Sequence, residues 1–265
     1  KAEAIVWFDR ALPNADSQLK TMIQQQRFLA KHGGQISKAF VAKLKTSPAP
    51  EKLAAIGMLR ESDDPEVLKF LEEFCLNGSD ELREQAMHAL VGREPRKQHL
   101  PIFLKAIGSS HFRTVQGGAI AVEQLRAKEA APALVRALER PVQNTDYRLA
   151  AALAVVATEQ EIPWLQRFAE KQVHPHSIFR ALLTTGSSKA IPSLLRLLDK
   201  DKGLASFYGR PEDRPVLQAG AKIDGLLSQL PNLATADPNS HLGRFKIALL
   251  GESDGKDSAD ELAEA

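Results

Sequence analysis

Apolar residues along this chain recur at helical spacing, and the helices themselves recur with a period of about 31 residues. Five prolines, Pro65, Pro101, Pro132, Pro163 and Pro192, stand 36, 31, 31 and 29 residues apart. Two residues after each come Val67, Phe103, Leu134, Leu165 and Leu194, and six after each come Leu71, Ile107, Leu138, Ala169 and Leu198. Positions i and i+4 share one face of a helix, and proline is tolerated in the first turn, where its missing N–H has no intrahelical partner anyway. The pattern predicts five helices that begin at these prolines.

A second helix is predicted ahead of each. Its register is marked by Lys52, Arg83, Arg113, Arg148 and Arg180, spaced 31, 30, 35 and 32 residues apart. Small residues follow at Ala55, Ala86 and Ala151, then at Ala89, Ala119, Ala154 and Gly186, so this face approaches a neighbour closely. Ser79, Asp80, Ser110 and Asp146 have the chemistry of N-caps. Residues 16–45 predict a further, degenerate pair through Leu19, Ile23, Phe28, Ile36, Phe40 and Leu44, and Ile5 to Phe8 suit a terminal cap. Two more helices are expected at Arg214 to Leu230 and His241 to Leu250. No alternating run is long enough for a strand, so the fold class is all-α.

The Asp-x-x-Arg helix start, the Ala-x-x-Ala-Leu body of Ala86 to Leu90 and the Ile-Pro-x-Leu-Leu start of Ile191 to Leu195 resemble the HEAT-repeat family, in its short HEAT-like or lyase-type form. Residues 79–199 carry the likeness best. The resemblance implies a right-handed α-α superhelix, an α-solenoid of about six helical hairpins. On that reading residues 1–250 are a single domain: 1–15 an N-terminal cap, 16–199 the repeats, and 200–250 a C-terminal loop with capping helices. The family supports many unrelated roles, so the fold does not name the function.

Charge adds one regularity. Four residues after each proline stands a base: Lys69, Lys105, Arg136, Arg167 and Arg196. In the HEAT family this row lies on or near the concave surface, which makes it the expected grip on an anionic partner. Three residues further on stand Glu72, Gly108, Glu139, Glu170 and Asp199, so an i, i+3 ion-pair ladder is the competing explanation, with Lys105 its unpaired member. For the bases in the first turns of the other helices, where the helix dipole disfavours them, Asp80 and Asp146 are the local candidates for compensation.

Overall the 35 basic and 33 acidic side chains nearly balance. Residues 251–265 hold six acids and one base, reading as a mobile acidic tail, and without them 34 bases and 27 acids leave the body at +7. Opposite charge on tail and body makes the tail a candidate pseudo-ligand of the basic row. The longest apolar run, Leu149 to Ala157, is nine residues, well short of the roughly 20 a membrane-spanning helix needs. One cysteine, Cys75, forms no internal disulfide and suits a cytoplasmic location slightly better than a processed periplasmic one.

Catalytic motifs are sparse. There is no phosphate-cradling glycine loop, and Ser17-Gln18-Leu19-Lys20 lacks the companion motifs of the S-x-x-K hydrolases. No histidine precedes a glutamate, whereas HEAT-type iron hydroxylases carry repeated His-Glu pairs as metal ligands. His174-Pro175-His176 has no obvious third ligand nearby, and Cys75 reads as a buried inert thiol; no metal or cofactor is expected. Gly117-Gly118 inside a helix suggests close packing or a kink. The irregular stretch Lys200 to Pro215 brings Phe207, Tyr208 and Arg210 together as interface-type side chains. The leading expectation is a non-catalytic scaffold that binds a protein or peptide partner, an acidic one included, on the concave surface. Nucleic-acid binding is the alternative, since HEAT-like solenoids include DNA-repair glycosylases, and a chromophore lyase ranks below it.

Overall fold

Each of the five prolines lies in the first turn of an α-helix in the computed structural model, which describes residues 2–14, 16, 19–20, 22–23, 26–27, 38–62, 64–91, 95–140, 146–201, 203–204, 213–230 and 240–252. Fifteen α-helices and six short 3₁₀ turns occur among these residues, and no strand. The expected all-α class is what the structure shows. The chain divides into two compact units, Lys1–Ala121 and Val122–Ala265.

The first unit contains α1 (Ala2–Ala11), α2 (Lys38–Thr46), α3 (Ala49–Ile56), α4 (Pro65–Asn77), α5 (Asp80–Val91), α6 (Leu100–Ile107) and most of α7 (Phe112–Leu125). Helix α4 packs on α2, α5 and α6, while α3 packs on α5. The second unit follows with α8 (Ala131–Leu138), α9 (Asp146–Val156), α10 (Ile162–Lys171), α11 (Pro175–Thr184), α12 (Ile191–Lys200), α13 (Arg214–Ala221), α14 (Leu226–Gln229) and α15 (His241–Glu252). There α9, α11, α13 and α15 pack in succession, and α10 and α12 pack on α11 and on each other.

The predicted faces are the buried ones. All ten residues placed two and six positions after the prolines are buried, with Phe103 and Leu165 among those fully so. Each contributes on the order of 1.5–3 kcal/mol if large and aliphatic or aromatic. Small residues Ala55, Ala86, Ala119 and Ala154 are also buried, as close helix approach requires. A 3₁₀ turn precedes every proline helix, at Gly57–Glu61, Lys97–His99, Lys128–Ala130, Glu159–Glu161 and Ser188–Ala190. At α10 a capping box holds this turn: Thr158 N–H donates to Glu161 Oε2 at 2.9 Å, and the Gln160 N–H donates back to Thr158 Oγ1.

The cap expectations fare unevenly. Asp64 caps α4, accepting from the Glu66 N–H at 2.8 Å. Asp80 and Asp146 stand inside the first turns of α5 and α9, and Ser110 lies two residues before α7. Of the pair expected over residues 16–45, α2 is the second member; most of the first falls outside the described residues, as do Phe207, Tyr208 and Arg210 and the tail from residue 253. No described helix is long and apolar enough to cross a membrane.

Candidate functional site

The five bases of the proline helices are all exposed, because the position four residues after each proline lies opposite the buried face. Their partners are not the i+3 acids of their own helices. Lys105 Nζ lies 2.8 Å from Glu72, Arg167 Nη2 3.4 Å from Glu139, and Arg196 Nη1 3.0 Å from Glu170. Each base thus takes the acid one sequence unit upstream. The reason is geometric: helical side chains lean toward the N-terminus, so a base is poorly aimed at an acid three residues C-terminal to it.

This shift corrects which base is left over. Lys105 is paired, and in the sequence series the acid that would precede Arg136 by one unit is replaced by Gly108. Neither Arg136 nor Lys69 makes an ion pair among the described residues. The paired side chains are half or more exposed, so the Coulomb gain is largely screened. Neutralising Lys105, Arg167 or Arg196 singly is expected to change the unfolding free energy by less than about 1 kcal/mol, read as the midpoint of urea unfolding.

The other basic series is compensated in a different way at each member. Lys52 Nζ stands 5.3 Å from the centroid of Phe74. Arg83 pairs with Asp80 at 3.7 Å, and the same carboxylate lies 3.2 Å from His111 Nε2. Arg113 pairs with Glu84 and lies over Phe112 at 5.4 Å. Arg148 lies over Tyr147 at 5.1 Å, and its Nε–H donates to Tyr147 Oη at 2.8 Å, so Tyr147 takes the part expected of Asp146. Arg180 Nη1 meets Asp213 Oδ1 at 2.6 Å, with the carboxylate only 1% exposed.

Two exposed aromatics emerge from this series. Phe112 is 40% and Tyr147 53% exposed, each in the first turn of its helix and each lying under the arginine that follows it. Phe179-Arg180 repeats the dipeptide, but Phe179 is buried, 5.7 Å from the ring of Phe245. The aromatic-Arg dipeptide was the available sequence signal; its exposure was not legible there. Nearby, Glu123 is half-buried, and desolvation raises its pKa against the opposing pull of Arg148 and Arg180.

A small groove of about 120 Å³ lies between α5 and α7, lined by Glu84, Met87, His88, Arg113, Gln116 and Gly117. The two glycines of α7 are explained by contact: a Cβ on Gly117 would meet Met87 Cγ at 2.1 Å, and one on Gly118 the backbone oxygen of Phe103 at 2.9 Å. Cys75 is buried in α4, and desolvation, with Glu72 adding to it, pushes its thiol up to about 12, which keeps it protonated at neutral pH. Burial, reinforced by Arg96, lowers the pKa of His99. His174 precedes α11 in the left-handed region at φ 49°, and no group of three or more His, Cys, Asp or Glu side chains converges among the described residues. Comparison with protein-family models and with curated proteins finds no match to this chain.

Proposed function

We propose that this chain is a HEAT-like α-solenoid that binds a protein or peptide partner and performs no catalysis of its own. The observation that carries the reading is the pair of exposed aromatic-arginine stacks, Phe112 under Arg113 and Tyr147 under Arg148, at one register of the repeat. Rigid aromatics and arginines supply most of the energy at protein interfaces, since they bury large area at small entropic cost. Exposing them without function would cost solubility.

The expected concave basic row contributes less than its regularity promised. Three of its five members are tied to acids, which cancels the field a polyanion would feel. Nucleic-acid binding keeps support only from the unpaired Lys69 and Arg136 and from the +7 body.

Photo-crosslinking decides between these readings. A benzophenone amino acid placed at position 147 or 112 in source cells is expected to trap a discrete protein adduct. The double substitution Phe112→Ala, Tyr147→Ala should weaken the captured partner at least about tenfold. Nucleic-acid adducts, or an affinity indifferent to both aromatics, would overturn the proposal.

A further inference from the structure

We propose that the edge of the α8–α9 hairpin, built on Arg136, Tyr147 and Arg148, is where an acidic segment of the protein partner docks. The inference rests on the protein-binding reading above and names the chemistry of what is bound. Helices α8 and α9 pack together and are joined by residues 139–145, so the last turn of one and the first turn of the other share an edge. Arg136 belongs to that last turn, and Tyr147 and Arg148 to that first turn.

Both arginines keep their forks uncommitted. Arg136 is exposed and makes no ion pair among the described residues. Arg148 spends only its Nε–H, on Tyr147 Oη at 2.8 Å, which leaves both terminal amino groups without a partner among the described residues. The tyrosine ring beneath restricts the guanidinium, so less rotamer entropy is lost when a carboxylate accepts the two remaining donors.

The acids of this neighbourhood do not cancel the two charges. Glu139 Oε1 already accepts from Trp164 Nε1 at 2.9 Å and from Arg167 Nη2 at 3.4 Å. Glu123 is half-buried, and its ionisation is opposed by desolvation. Asp146 is exposed in the first turn of α9, where the helix dipole favours its charge. Two separated guanidiniums beside an ion-paired row suit a short acidic peptide better than a phosphate backbone, which requires a track of uncommitted cations.

The test uses the full chain and two labelled probes, an octaglutamate peptide and a poly(dT) strand of similar charge, titrated at low salt by fluorescence anisotropy. Arg136→Glu with Arg148→Glu is expected to weaken octaglutamate about tenfold or more, and Tyr147→Ala several-fold. Arg167→Glu with Arg196→Glu makes the same change in net charge on paired residues, and should cost less than about threefold. Circular dichroism on each variant confirms that helix content is retained. Equal losses in the two charge-reversed variants would overturn the proposal, as would poly(dT) binding more tightly through the same two arginines. A protein cross-link at position 147 that persists while octaglutamate ignores Arg136 and Arg148 would sink this inference and leave the protein-binding reading standing.

Discussion

Arg180→Met is expected to lower the unfolding free energy by about 3 kcal/mol, because it strands a carboxylate that cannot reach water. Asp213 is 1% exposed, and its oxygens have no hydrogen-bond donor other than the guanidinium 2.6 Å away. A buried ion pair gains little over an apolar replacement, but half of one is costly, on the order of 3–5 kcal/mol. Arg180 keeps a quarter of its side chain exposed, which places the loss at the lower end. Asp213→Leu in the Arg180→Met background removes the stranded charge and should recover most of the stability. Urea unfolding of the wild type, both single variants and the double variant closes the cycle. A single-variant cost below about 1 kcal/mol would mean that water reaches Asp213 after all.

The two adjacent glycines of α7 should respond oppositely to enlargement. A Cβ at Gly118 meets the Phe103 carbonyl at 2.9 Å and the Ile107 nitrogen at 3.1 Å, both backbone atoms of α6 that cannot rotate away. Alanine gains about 1 kcal/mol of helix propensity there and loses about 1–3 kcal/mol to overpacking. Gly118→Val adds volume and a β-branch, and is expected to cost about 3 kcal/mol or to prevent folding at 37 °C. At Gly117 the obstacle is the Met87 side chain, which has three rotatable bonds and a groove to move into. Gly117→Ala should therefore be neutral or slightly stabilising. Calorimetric melting of the three variants checks the contrast, and equal losses at 117 and 118 would refute the packing account.

Local periodicity carried the helices and their buried faces. Proline in a first turn, an apolar residue two and six positions on, and a small face on the partner helix are constraints within one or two turns, so they can be read without knowing what packs where. Pairing behaved differently. The i, i+3 acids lie on the right helices, yet the bases reach across to the acid one unit upstream, and the leftover base is Arg136 instead of Lys105. Sequence spacing within a helix carries no information about the distance between neighbouring helices, and that distance selects the partner.

The candidate site shows the same division. Phe112, Tyr147 and Phe179 each precede an arginine at one register, so the chain alone specifies an aromatic-arginine pair at the start of three helices. Two of those aromatics face water, while the third is buried near Phe245 of α15, 66 residues further along the chain. Asp213 is likewise an ordinary loop acid in sequence, and becomes a buried counter-charge because Arg180 reaches it from α11. Burial depends on what covers a residue, and here the cover comes from distant segments; the chain alone determined which helices form and which faces turn inward, and packing between helices decided which charges and rings remain available to a partner.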